Sequence, residues 1–382
     1  MPVSLEPVPP IVQGEGALAA IGERAAALAG AGAPVLLVAD PGLRPSGMID
    51  EAQAVLRRAG LSPVVFDAIK SDPTVRQVDA GAALARSAGA RAVVGLGGGS
   101  AMDAAKLIAA VAPADAPSIA YALCAAPLPP NPLPKICVPT TAGTGSETTR
   151  VSVVADDEGA KQWFWGAELR AQLVVLDPEL TVGLPPHLTG ATGIDALVHA
   201  IEAATNVNAN VANDVYAHAA IRLACRHLEQ AVAHPRDLAA RAGMQLAAAF
   251  AGVAIDNGGT AIGHAIGHAL GSLRPIHHGR AVGVAMLATL PWNVADDAGR
   301  FAAVAEAMGE GRDAARVPDA FERLLRAAGV RVSIADEFAG VDAATLAAQI
   351  RRPENAAMRN SNRRPASDAD LERFAASVLA QA

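Results

Sequence analysis

The apolar positions of this chain change their period about halfway along. From about residue 12 to 180, short β-branched runs recur at 35–38, 64–66, 92–96, 136–138 and 173–176, and segments 18–30, 48–60 and 75–89 have the length and spacing of helices. That alternation predicts a mostly parallel sheet covered by helices on both faces, a Rossmann-like α/β fold. Residues 113–135 are rich in proline and poor in charge, and predict an irregular connection. Past the stretch Asp177-Pro-Glu-Leu-Thr-Val-Gly-Leu-Pro-Pro186 the strand runs fade. Alanine-rich helical patterns take over at 193–205, 212–233, 236–255 and 301–308. The expected organisation is an α/β dinucleotide-binding domain over 1–180 and an all-helical domain over 181–382.

Composition narrows the partners. A chain of 382 residues is long enough for two domains with large cores. A formal charge of −7 leaves no basic face for nucleic acid or anionic lipid, and aromatics at 3% leave few stacking platforms for bases, so a small molecule is the expected partner. Cys124, Cys137 and Cys225 are widely spaced without any CxxC. They predict a reducing compartment, with all three as small core residues. The N-terminal stretch lacks the basic and apolar regions of a signal peptide, and the long apolar region 246–270 is interrupted by Asp256, Asn257, glycines and histidines. A soluble, cytoplasmic protein is expected.

Candidate chemistry concentrates in the helical half. His264, His268, His277 and His278 are four of the nine histidines, set in apolar, glycine-spaced chain. Burying imidazoles there is costly unless something pairs with them. His264 and His268 share one helix face, and upstream Asp195 and His199 repeat the same i,i+4 step. Either pair alone is more often a satisfied core hydrogen bond; two pairs from two helices can converge on one cation. Spacing leaves open whether His264 or His268, and whether His277 or His278, faces the ion.

The α/β half carries two loops suited to a dinucleotide. Leu96-Gly97-Gly98-Gly99-Ser100-Ala-Met-Asp103 joins a predicted strand to a predicted helix, where free amides make a phosphate site and Ser100 with Asp103 has the form of a capping box. It departs from the common Rossmann fingerprint in having serine at the last glycine position. Pro139-Thr140-Thr141-Ala-Gly143-Thr144-Gly145-Ser146-Glu147 follows another strand and offers hydroxyls to a ribose or diphosphate. Asp40 ends the first clear strand. A carboxylate there accepts from an adenosine ribose and repels a 2′-phosphate, favouring NAD; the competing role is a turn former in Asp40-Pro41-Gly42.

Together these motifs run nearly end to end, in one order: Gly97-Gly98-Gly99-Ser100 with Asp103 and Lys106, Pro139 to Glu147, Asp177-Pro-Glu-Leu180, Asp195 to Glu202, and the histidine-rich stretch closing on His278-Gly279. In them the chain resembles the iron-containing (group III metal-dependent) alcohol dehydrogenases, related in fold to glycerol dehydrogenase and dehydroquinate synthase. The resemblance implies metal ligands Asp195, His199, His264 and His278, with His268 beside metal and nicotinamide for proton transfer or substrate orientation. It implies cofactor contacts at Asp40, Asp72, Gly98, Gly99, Ser100, Asp103, Thr140, Thr141, Thr144 and Lys161. It further implies NAD with NADP as the alternative, Fe²⁺ with Zn²⁺ as the alternative, and a homodimer or larger homo-oligomer.

Two departures stand out: Ala269 where the family often has proline, and His277 as an extra imidazole. The expected reaction is reversible hydride transfer between a small alcohol and a nicotinamide. The alternatives are a polyol dehydrogenase, a lyase resembling dehydroquinate synthase that uses NAD transiently, and a silent NAD-binding module. A lyase acting on an acidic phosphorylated substrate would want several lysines in its pocket, and the helical half has none.

Overall fold

Alternation in the first half folds into a six-stranded, wholly parallel sheet in this computed structural model, which describes residues 4–381. Its strands are β1 (Ile11–Gln13), β2 (Pro34–Ala39), β3 (Ser62–Phe66), β4 (Ala92–Gly97), β5 (Lys135–Pro139) and, after a hairpin, β8 (Leu173–Leu176), in the order β1-β8-β5-β4-β2-β3. The crossovers carry α1 (Ala20–Ala29), α2 (Met48–Arg58), α3 (Val75–Ser87) and α4 (Gly99–Val111).

Successive side chains of a strand point to opposite faces, and β2 shows the consequence. Leu36 and Val38 enter a core built with α3 and α4, whereas Val35, Leu37 and Ala39 enter a second core built with α1 and α2. Both faces are covered, so the strands read as continuous apolar runs. This α/β unit comprises Pro7–Thr141 and Ser146–Gly183.

Three features depart from the sequence expectations. The hairpin, β6 (Val151–Ala155) paired antiparallel with β7 (Lys161–Trp165), lies apart from the main sheet. The proline-rich connection contains a 3₁₀ turn at Ser118–Cys124. Cys137 is buried as expected, but Cys124 is exposed, at a positive φ of 58° on a surface turn.

The second unit takes in Leu184–Ala382, residues up to Glu6, and the short segment Ala142–Gly145. Its described residues are helical throughout, with no strand: α5 (Pro186–Thr205), α6 (Val211–Ala233), α7 (Leu238–Gly258), α8 (Ile262–Leu273), α9 (His278–Val294), α10 (Ala298–Met308), α11 (Val317–Ala327), α12 (Ala343–Ile350), α13 (Ala356–Ser361) and α14 (Asp368–Leu379). Helix α7 is long and apolar enough to cross a membrane by length and composition, yet 67% of that apolar window is buried inside this unit. Alanine and glycine let the helices approach closely. A β-carbon at Gly193 would meet Leu228, one at Gly283 would meet Ile194, and one at Gly190 would overlap the Ala328 carbonyl.

Candidate metal centre

Helix α5 starts with proline at its first turn and runs for 20 residues through the core. One face carries Asp195, His199 and Glu202 at i, i+4 and i+7, all at most 5% exposed. Helix α8 carries His264, which is 2% exposed. Three polar atoms here have no hydrogen-bond partner among the described residues: Asp195 Oδ1, His199 Nδ1 and His264 Nε2. Each left so would cost about 1–3 kcal/mol. They face one another. Asp195 Oδ1 lies 3.8 Å from His199 Nδ1 and 3.7 Å from His264 Nε2, and candidate ligand atoms of the three residues lie within 4.8 Å of one another.

The outward nitrogens are engaged. His264 Nδ1 lies 2.6 Å from Glu202 Oε2, and the His199 ring hydrogen-bonds the backbone of Gly143. A ring that donates one N–H outward presents a bare nitrogen inward, the tautomer a metal ligand requires. The two imidazoles stack at 4.3 Å between centroids. Burial alone would raise the Asp195 carboxyl, but His199, His278 and His264 around it hold it well below the usual carboxylate range. Burial lowers His199 to about 4; it works the same way on His264, where Glu202 and Asp195 prevail and raise the ring to about 9.

His278 stands beside this group. It is the first residue of α9, and its Nε2 stands 3.7 Å from the same Asp195 oxygen. Its neighbour Gly279 makes this possible, because a β-carbon there would overlap the Ala191 carbonyl of α5. His277 instead occupies the N-cap of α9. His268, one turn beyond His264, is half-buried with its ring 5.3 Å from His278 and 6.4 Å from His264. Of the two i,i+4 pairs, Asp195 and His199 both enter the group, whereas from the second only His264, not His268, meets Asp195.

A divalent ion suits this donor set. Asp195, His199, His264 and His278 would hold it, with three imidazole nitrogens each 3.7–3.8 Å from the one carboxylate oxygen. Three imidazoles and a carboxylate fit Fe²⁺ or Zn²⁺.

In the α/β unit, Asp40, Gly98, Gly99, Ser100, Thr140 and Thr141 follow the carboxyl ends of β2, β4 and β5, where open α/β sheets bind ligands, whereas Asp72 follows β3, Asp103 lies within α4 and Lys161 opens β7. Asp40 follows β2 and accepts from Gly42 N at 2.8 Å, so it forms the competing turn. A β-carbon at Gly97 would stand 3.1 Å from Asp40 Cβ, and one at Gly98 would touch Thr141. Thr140 donates its amide to the Gly97 carbonyl at 2.9 Å. Asp72, at a positive φ of 58°, pairs with Lys161 and donates its amide to Ser100 Oγ at 3.2 Å. Asp40, Asp72, Gly98, Gly99, Ser100, Thr140, Thr141 and Lys161 thus belong to one unit, while Thr144 falls in the segment that joins the helical unit.

The capping box expected of Ser100 and Asp103 is absent. Helix α4 starts two residues earlier than that box requires, with Gly98 as N-cap and no side-chain cap. Asp103 looks elsewhere: its carboxylate accepts from Ser146 Oγ at 2.5 Å and Val153 N at 3.0 Å, and lies 3.3 Å from the buried Lys106 ammonium. It ties α4 to the second loop and the hairpin.

Sequence reasoning did not assign Glu202 a role. Its signal was present, since it extends the Asp195–His199 face by three residues, but its partner across the unit could not be read from spacing.

Known proteins bear on this arrangement. Residues 9–178 match the family described as iron-containing alcohol dehydrogenase, and residues 189–378 match its C-terminal part, described as Fe-containing alcohol dehydrogenase family, C-terminal. Choline dehydrogenase of Bacillus subtilis (strain 168) is 37% identical over 306 residues, 79% of this chain and 76% of that protein. The 1,3-propanediol dehydrogenase of Citrobacter freundii is 38% identical over 319 residues, 82% and 81% of the two chains. Among solved structures, sulfoacetaldehyde reductase from Bifidobacterium kashiwanohense in complex with NAD⁺ superposes with a TM-score of 0.91 at 29% identity, over 100% of this chain and 99% of that one. With both halves matched in order and the converging donors in place, the chain belongs to the iron-containing alcohol dehydrogenase family.

Proposed function

We propose that the protein is an NAD-dependent, Fe²⁺-dependent alcohol dehydrogenase interconverting a small alcohol and its aldehyde or ketone. The observation that carries the reading is the convergence of Asp195 Oδ1, His199 Nδ1 and His264 Nε2, buried and without a hydrogen-bond partner among the described residues, with His278 Nε2 at 3.7 Å from the same carboxylate oxygen. Asp195, His199, His264 and His278 hold the ion. When bound, a divalent cation there polarises the substrate oxygen, and NAD takes the hydride.

The chain's own residues do the rest. His268, half-buried at the edge of the cluster, exchanges the substrate hydroxyl proton with solvent. Gly98, Gly99 and Ser100, at the first turn of α4, hold the diphosphate on free amides. Thr140, Thr141 and Thr144 orient the nicotinamide end, Asp72 and Lys161 clasp the cofactor from the hairpin side, and Asp40 accepts from the adenosine ribose and disfavours NADP. Asp103 acts one step back, by fixing Ser146 and the hairpin. A cytoplasmic homo-oligomer with a small-molecule substrate belongs to the same reading.

The test pairs two variants of the chain reconstituted with Fe²⁺ under anaerobic conditions and supplied with NAD and a panel of alcohols. His264→Ala should lose metal and activity together. His268→Ala should keep its metal while turnover falls 10²-fold or more on the order expected for a general acid–base, with an altered pH profile. Wild-type turnover in His268→Ala would remove its role, and turnover without net NADH formation would point to the lyase chemistry instead.

A further inference from the structure

Helix α8 carries His264 but cannot cap itself. Its N-cap residue is Ala261, which has no side-chain acceptor, and the preceding turn is Gly258-Gly259-Thr260. The first amides of a helix need partners, and here they are buried. Glu202, reaching across from α5, supplies them. Its Oε1 accepts from Gly263 N at 2.7 Å and from His264 N at 3.3 Å; its Oε2 accepts from Ala261 N at 2.7 Å and faces His264 Nδ1 at 2.6 Å. Both oxygens therefore act only as acceptors. The approach is close enough that a β-carbon at Gly263 would sit 2.8 Å from Oε1. The carboxylate is 4% exposed and has no Lys or Arg ion-pair partner among the described residues.

We propose that Glu202 is the positioning residue of the metal centre: it fixes the His264 tautomer and ring orientation while docking the start of α8 onto α5. This rests on the ligand set proposed above. In the neutral ring Nδ1–H is given to Glu202, so the lone pair a metal needs lies on Nε2, the atom that faces Asp195 at 3.7 Å. Glu202 touches neither substrate nor cofactor in this scheme; it acts through His264.

Glu202→Gln is the informative variant, since it keeps shape but turns one acceptor into a donor. If its amide nitrogen faces His264 Nδ1, that atom must accept and the ring proton moves to Nε2. If the amide nitrogen faces Gly263, two backbone donors lose their acceptor. Either way metal binding weakens. The measurement is Zn²⁺ affinity of the metal-free full chain by competition with a chromophoric chelator, for wild type, Glu202→Gln, His264→Ala and the double variant.

Loss of 10- to 100-fold in Glu202→Gln is expected, with no further loss when the substitution is added to His264→Ala. Equal affinity of Glu202→Gln and wild type overturns the proposal, and so does an equal loss in both backgrounds, which would mark a general structural effect. Absence of Zn²⁺ binding by wild type would instead overturn the ligand set itself. Should Glu202→Gln fail to fold, the proton NMR spectrum of wild type serves: a downfield, solvent-protected imidazole N–H that disappears in His264→Ala is expected, and its absence overturns the proposal.

Discussion

Glu147 shows at the scale of one residue how burial sets a pH dependence. It sits in the second cofactor loop at 2% exposure, and burial pushes its carboxyl up to about 7, against the pull of its own backbone hydrogen bond and the Lys106 ammonium. A carboxyl raised on folding binds more protons in the native state, so its contribution to stability is most favourable below the ordinary value of 4.5 and is lost as pH rises through 7. Glu147→Gln removes that titration. Relative to wild type the variant should gain on the order of 1–3 kcal/mol between pH 4.5 and pH 8, read from urea unfolding at the two values. An unchanged difference between wild type and variant would contradict the assignment. At this same scale spacing set His264 and His268 on one helix face without choosing between them, and it gave no sign of the Glu202 contact, since Glu202 and His264 are 62 positions apart in sequence.

At the scale of elements, glycines decide how near the ligand-bearing helices come. Gly279 follows His278 on α9, and a β-carbon there would overlap the Ala191 carbonyl and stand 3.2 Å from Asp195 Cβ. Gly271 on α8 has no atom within 4 Å of a β-carbon position. Gly279→Ala should therefore destabilise the protein by about 1–3 kcal/mol and weaken metal binding, because α9 must retreat and take His278 with it. Gly271→Ala should be neutral or stabilising by up to about 1 kcal/mol, as helix propensity alone dictates. Thermal melts and metal titration of both variants check this, and parallel behaviour of the two would contradict it. The central strands of the sheet were readable because burial on both faces makes them continuous apolar runs. Strand β1 was not, being three residues long beside prolines, and in the hairpin β6–β7 the polar residues at 156–162 broke the pattern. The short helices α11 to α14 were missed for a related reason: α11, α12 and α14 bury only three or four residues each and α13 none, too few to set a helical period.

For the whole molecule, the chain divides its labour between a sheet unit with glycine and threonine turns and a helical unit with the buried donors. The sequence boundary at 180/181 and the observed one at Gly183/Leu184 differ little, but the helical unit also takes Ala142–Gly145 out of the second loop. Gly145, at φ +63°, explains that exchange: a β-carbon there would stand 2.5 Å from Gly252 Cα, so this segment packs on α7 where only glycine fits. No period in the sequence reports such a contact. The account as a whole depends on one ion held by Asp195, His199, His264 and His278. Iron K-edge X-ray absorption on the anaerobically reconstituted full chain, with metal content measured on the same sample, tests this most directly. One iron per chain, ringed by nitrogen and oxygen with the scattering of three imidazoles and lost in an Asp195→Ala/His199→Ala double variant, is the predicted result. Iron held equally well by the double variant, or a spectrum without imidazole scattering, would contradict it.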